Sequence, residues 1–246
     1  MTVSFLFVGE GREYLLDPGE TLETDLGILE VPEDVRPGET VETHLGTEFV
    51  ARELRGPDLF HHFERTGAPM MPRDIGLVMG HTGVKGGDRV LDAGTGTGVL
   101  AASLARAGAD VLTYERDPEF AEVARENMAL AGVEDAVEVR AGDVTEDLDD
   151  LAVDGGFDLL TLDTEDAPTV VERAPDLLTR GGFVAVYSPF VEATSDVVRT
   201  ARDAGLGGVE SLETIQREMD VGDRGTRPST AGVGHTGYLT FGRNPM

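Results

Sequence analysis

The sequence contains no cysteine and no tryptophan, and Lys85 is its single lysine. Without cysteine there is no disulfide, no thiolate zinc site and no cysteine nucleophile. No run of about eighteen apolar residues is present, so no membrane-spanning helix is expected. The opening segment MTVSFLFVGEGREYLL lacks the basic region of a secretory signal, and the expectation is a soluble, cytoplasmic protein. The histidines, His44, His61, His62, His81 and His235, are too scattered to read as a metal site, so none is expected.

What abounds is acid: 47 Asp and Glu against 20 Lys and Arg, a formal charge of −27 over 246 residues. A surface rich in carboxylates and poor in lysine stays hydrated in concentrated salt, where charge repulsion is screened within about 3 Å at 1 M. The composition points to a halophile. Disorder is disfavoured by 40% hydrophobic residues arranged in regular periods. The sign of the charge reports the solvent first and does not exclude RNA as a partner.

Up to about residue 65 the chain reads as short alternating runs, VSFLFV, EYLL, GILEV, ETVETHL and EFVARE, separated by Gly, Pro and Asp turns. That spacing predicts a small antiparallel β-domain, 1–65. From 66 to 246 strands and helices alternate. The expected strands are 89–94, 110–115, 137–142, 157–163 and 183–188, and the helical patterns fall at 98–107, 117–131, 167–178 and 191–204. A helix-period segment, 75–80, precedes them. Two further strands, Val209 to Gln216 and Gly237 to Arg243, suggest an antiparallel hairpin closing the sheet edge. The predicted fold class is α/β, a Rossmann-like doubly wound sheet with C-terminal antiparallel strands.

The segment Val90-Leu-Asp-Ala-Gly-Thr-Gly-Thr-Gly98 is a strand, a glycine-rich turn and a helix start, with Glu115 ending the next strand. Such a loop holds a nucleotide cofactor. A dinucleotide loop needs a third small residue where Val99 stands, and Asp92 would repel a pyrophosphate. S-adenosylmethionine carries a sulfonium and an ammonium and no phosphate, so it suits this acidic loop. Gly94, Thr95, Gly96, Thr97 and Gly98 are the candidate cofactor loop, with Arg116 beside Glu115.

In a doubly wound sheet ligands bind beyond the carboxyl ends of the strands. Four acids stand there: Asp92, Glu115, Asp143 and Asp163. Glu115 is placed to accept from ribose hydroxyls, and Asp143 to accept from an adenine amine. Asp92 is expected to hold loop amides or the cofactor ammonium. Asp163 should face the crevice beside the cofactor methyl, where a carboxylate could orient a base through its amino group and offset the positive charge formed on the ring.

The neighbouring segments are more selective: Met71-Pro-Arg-Asp74, Tyr187-Ser-Pro189, Arg227-Pro228 and Gly234-His-Thr-Gly237. With the glycine loop, the leading β-domain and Asp163, this order resembles the tRNA (adenine-N1)-methyltransferases that modify the T-loop adenosine at position 58, including archaeal forms that also treat position 57. The resemblance covers almost the whole chain, which would be a halophilic archaeal version. It implies cofactor contacts from Gly94, Gly96 and Gly98, ribose binding by Glu115, adenine contact by Asp143 and catalysis by Asp163. It also implies extraction of the target base from its stack, a tRNA partner and a homotetramer. Arg73, Tyr187, Arg227 and His235 are candidate substrate contacts, although for His235 a structural packing or hydrogen-bonding role is the first reading, and Arg227 and Tyr187 are similarly divided. Met71 stands where many members carry Tyr, and Asp163-Thr-Glu-Asp-Ala-Pro168 lacks the Trp of the family's D-x-x-x-P-W and shifts the proline by one.

Two other readings remain open. Protein isoaspartyl methyltransferases use a similar VLDAGTGTG loop but lack the leading β-domain and the C-terminal GHTG strand. A non-catalytic RNA-binding subunit is the non-enzymatic alternative, although such a subunit would be expected to lose the cofactor loop.

Overall fold

In the computed structural model, residues 4–153, 156–232 and 234–245 are described. The N-terminal runs form β1 (Phe5–Gly9), β2 (Arg12–Leu16), β3 (Thr21–Thr24), β4 (Gly27–Glu30), β5 (Thr40–Glu42) and β6 (Glu48–Arg52). Four of these make an antiparallel sheet in the order β2-β1-β6-β5, and β3 and β4 form a separate hairpin. The alternation of β1 sends its side chains two ways. Phe5 and Phe7 bury in a cluster with Leu16, Leu29, Val35 and Phe49, whereas Leu6 joins a larger cluster with Leu54, Leu59 and Leu104. That second cluster fastens the β-region to the larger α/β region.

After α1 (Gly56–His62) and α2 (Pro72–Thr82) comes the alternating part. It comprises β7 (Arg89–Ala93), α3 (Val99–Arg106), β8 (Asp110–Glu115), α4 (Pro118–Ala131), β9 (Val137–Ala141), α5 (Leu148–Val153) and β10 (Phe157–Leu162). Next come α6 (Ala167–Glu172), α7 (Ala174–Leu177), β11 (Leu178–Ser188), α8 (Val191–Asp203), β12 (Gly207–Glu213), β13 (Met219–Gly222), β14 (Gly225–Pro228) and β15 (Tyr238–Arg243). The seven-stranded sheet runs β12-β15-β11-β10-β7-β8-β9, and β15 pairs antiparallel with both β11 and β12. Strand order reverses between β7 and β10. That is where such a sheet opens a crevice for ligands. The strands are apolar because both faces are covered: Val90 and Leu159 pack on one side, Leu91, Leu160 and Val186 on the other.

The expected strands and helices are found, with three differences. The helical pattern 167–178 is two short helices, because Pro175 follows the Arg173 turn and has no amide to continue the first. Strand β11 begins at Leu178, earlier than expected, since Leu178 pairs with Phe157. Finally, β12 and β15 do pair antiparallel, but they are not joined directly. The hairpin β13–β14 intervenes, and its residues are exposed.

Candidate active site

The glycine loop turns at the end of β7 because its glycines take backbone angles that other residues avoid. Gly94 has φ +90°, and a Cβ there would lie 2.1 Å from the Asp163 carbonyl oxygen. The Asp163 amide in turn donates to the Ala93 carbonyl at 2.8 Å. The ends of β7 and β10 therefore touch, and only glycine lets them. Gly98, with φ +80°, caps α3 against the Met128 side chain of α4. Two adjoining hollows flank this contact. One is lined by Ala68, Pro69, Met70, Thr97, Val99 and Asp163, the other by Thr66, Gly67, Glu115, Phe120, Asp143 and Asp163.

All four strand-end acids are at this crevice, in different environments. Asp92 is buried and accepts from the hydroxyls of Thr113 and Thr161, while Thr113 also meets Thr95 Oγ1 at 2.5 Å. Burial raises its pKa, and those hydroxyls oppose the rise. The loop amide expected of Asp92 goes to Glu115 instead: Gly96 N–H donates to Glu115 Oε2 at 2.9 Å, and Asp117 N–H to Oε1 at 3.1 Å. Each oxygen keeps a second lone pair. Asp143 caps its own turn through the Thr145 hydroxyl and amide, which lower its pKa, and Arg116 adds to this. Arg116 spans from Asp143 Oδ2, at 3.0 Å, to Asp166. Thus the loop that departs from the family pattern after β10 supplies Arg116 with an acid.

Asp163 differs from the others. It opens into the cleft, yet the cleft walls and the nearby Asp92 carboxylate push its pKa to about 7. Its carboxylate accepts no hydrogen bond among the described residues. Such a carboxyl, unpaired at a strand end and open to the cleft, makes Asp163 the candidate ligand contact among the four acids.

The separated motifs converge beside it. Arg73 Nη2 donates to Thr236 Oγ1 at 2.7 Å, and Arg73 Nε lies 3.7 Å from Asp74 Oδ2. Asp74 is buried, which raises its pKa against the pull of Arg73. Tyr187 Oη donates to the Thr236 carbonyl, and a Cβ on Gly237 would run into the Tyr187 ring. Burial raises the Tyr187 pKa, and the charges of Asp163 and Asp74 add to it. The MPRD, YSP and GHTG segments thus form one cluster beside Asp163. His235 faces elsewhere. Its ring nitrogens meet the Pro189 carbonyl at 3.1 Å and Glu213 at 2.8 Å, which raise its pKa and serve the structural reading. Arg227 is on the exposed hairpin, 3.6 Å from Asp220, and lines neither hollow.

A family model described as "tRNA methyltransferase complex GCD14 subunit" matches residues 64–226. A tRNA (adenine(57)-N(1)/adenine(58)-N(1))-methyltransferase from Methanocaldococcus jannaschii is 33% identical over 96% of this chain and 92% of its own. The chain belongs to the tRNA (adenine-N1)-methyltransferase family. The structure of a SAM-dependent O-methyltransferase from Thermotoga maritima superposes with a TM-score of 0.82 at 26% identity, covering 99% of this chain and 93% of that one. That of the tRNA (m1A58) methyltransferase TrmI from Aquifex aeolicus gives 0.73 at 22% identity, over 98% and 96%, a likeness of fold. Both alignments take in the leading β-region and the C-terminal strands.

As a member of this methyltransferase family the protein is S-adenosylmethionine-dependent, and its residues fit that cofactor. The buried hydroxyls of Thr66 and Thr97 have no partner, one in each hollow. A Cβ on Gly96 would meet nothing within 4 Å, so the loop presents open backbone to the crevice. The acids Asp92 and Asp163 supply the field a sulfonium needs. Thr66, Phe120 and Asn127 were not legible as site residues. Phe120 looks like an ordinary amphipathic-helix position, and Asn127 works only through partners distant in sequence. Among the described residues no group of three or more His, Asp or Glu could hold a metal, and no helix is long and apolar enough to cross a membrane.

Proposed function

We propose that this chain methylates N1 of the T-loop adenosine at position 58 of tRNA, with position 57 as a second target. When bound, S-adenosylmethionine supplies an electrophilic methyl group. Gly94 to Gly98 hold its methionine end, with Thr97 Oγ1 as the free polar contact. Glu115 takes the ribose hydroxyls on its spare lone pairs, and Asp143 with Arg116 borders the adenine. The target base, flipped from its stack, enters beside Tyr187 and Arg73. Its N1 lone pair forms the new N–C bond as the C–S bond breaks and that electron pair returns to sulfur. No strong base is required, because the nucleophile is already neutral. Asp163 accepts a hydrogen bond from the 6-amino group, fixes the ring in line with the methyl and offsets the charge the ring acquires. Ionised Asp163 is the active form, so turnover at saturating cofactor should fall as pH drops below its pKa, which is about 7 in the free chain and lower beside a cation.

The observation that carries this reading is the unpartnered Asp163 carboxylate where the two hollows meet, beside the Tyr187 and Arg73 cluster. Incubation with cofactor and an unmodified tRNA transcript, followed by nucleoside analysis, should yield N1-methyladenosine, and reverse transcription should stop at position 58. Methyl ester formation on an isoaspartyl peptide instead would replace this reading with protein repair. Cofactor binding without transfer to any tRNA would favour the RNA-binding subunit.

The division at residue 65 belongs to the same proposal, supported by the separate apolar cluster of Phe5, Phe7, Leu29 and Phe49. So do the homotetramer, which light scattering in molar KCl tests, and the halophilic origin, supported by the −27 charge.

A further inference from the structure

Residues 63–71 join α1 to α2 without regular structure and cross both hollows. Thr66 and Gly67 line the Glu115 side, and Ala68, Pro69 and Met70 line the Thr97 side. Among the described residues the backbone of 65–70 makes no hydrogen bond to other backbone. The backbone of this strap is therefore held at its ends, while the Arg65 side chain donates to the Phe60 carbonyl and Met70 packs on the large apolar cluster. At one end the Met71 carbonyl accepts from the amides of Asp74 and Ile75 at the start of α2. At the other stands Asn127, a buried side chain of α4. Its Nδ2 donates to the carbonyls of Glu64 and Thr97, both at 3.0 Å, and its Oδ1 accepts from the Glu64 amide at 3.0 Å. Both donors and the acceptor are used on backbone. Because Thr97 belongs to the glycine loop, one carboxamide joins strap, loop and helix.

We propose that Asn127 is a positioning residue that holds the strap Glu64–Met71 against the glycine loop, so that the cleft closes over S-adenosylmethionine and retains it. This rests on the cofactor site described above. The two buried hydroxyls without partners belong one to the strap and one to the loop: Thr66 lines one of the adjoining hollows and Thr97 the other. A ligand that spans the adjoining hollows meets residues of both strap and loop, and does so only if the two keep their spacing. Asn127 sets that spacing. The unbonded middle of the strap can yield to admit the ligand, while the Asn127 anchor returns it.

The test uses the full chain and S-adenosylhomocysteine as probe. Asn127→Asp keeps size and acceptor but sets a carboxylate against two carbonyls, which leaves buried acceptors unpaired. Its dissociation constant should rise about tenfold or more, the least effect expected from losing the two Nδ2 donations, mainly through faster release, while kcat at saturating cofactor stays within about threefold. In the wild type, added S-adenosylhomocysteine should slow amide hydrogen exchange across residues 64–71. A variant with lowered melting temperature but unchanged dissociation constant and release rate would overturn the proposal. So would wild-type exchange at 64–71 that ignores the ligand, a result that needs no variant to fold. If the wild type itself binds no S-adenosylhomocysteine, the cofactor site fails along with the strap. If it binds and Asn127→Asp matches it, only the strap fails.

Discussion

Asp163 and Gly94 illustrate how function and stability oppose each other over a single contact. The Asp163 carboxyl sits at about 7 in the folded chain against an ordinary 3.8. Between those values the folded state binds more protons than the unfolded one, so stability falls as pH rises through this window and levels off above it. Asp163→Asn removes that loss. Its melting temperature should match the wild type near pH 4 and exceed it increasingly up to about pH 7, with the gap then constant. An equal gap at every pH would show that Asp163 is not desolvated in this way. Gly94→Ala acts on the other side of the contact. It forces a Cβ onto the Asp163 carbonyl from a positive φ, and we expect a loss of about 3 kcal/mol or more of stability, seen in chemical denaturation, together with loss of cofactor binding. Both residues were legible in the sequence, since a glycine turn after an apolar strand and an acid ending a neighbouring strand are local patterns. Asn127 was not. Its three bonds reach residues 30 and 63 positions away, and no local period encodes them.

At the scale of elements, the sheet and its crevice were legible because apolar strands and amphipathic helices alternate with different periods. The break at Pro175, the early start of β11 and the hairpin β13–β14 depend on pairing partners or turns that periodicity does not report. The hairpin has a functional consequence. Met219 and Val221 are exposed on it, and Arg227 lies 3.6 Å from Asp220 outside the hollows, so under the proposed function this element can meet tRNA without touching the cofactor. Arg227→Ala should therefore raise the KM for tRNA severalfold and leave the dissociation constant for S-adenosylhomocysteine unchanged. A change in the latter, measured by calorimetry, would place Arg227 in the cofactor site after all. For His235 the sequence left two readings open, and the structure shows why. Its motif neighbours Thr236 and Gly237 turn toward Tyr187, whereas its ring turns to Glu213 and Pro189.

For the whole molecule the dominant quantity is the charge of −27. Self-repulsion of that size weakens the compact state at low ionic strength and is screened in molar salt. The melting temperature should rise as KCl increases from about 0.1 to 2 M, and a fall over that range would refute the salt-adapted surface. tRNA affinity should change little across the molar range, because counterion release has little left to give there and the proposed recognition would rest on shape, stacking and a few arginines such as Arg73 and Arg227. In the mechanism proposed above, cofactor loop, strap and hairpin all serve one event, methyl transfer to a base held by Asp163. The decisive measurement pairs S-adenosylmethionine binding by calorimetry with N1-methyladenosine formation on unmodified tRNA, for wild type and Asp163→Ala. Binding weakened by no more than about tenfold, because Asp163 also faces the sulfonium charge, with turnover reduced about a hundredfold or more, the scale of a lost transition-state contact, is expected. Unchanged turnover in the variant would contradict it.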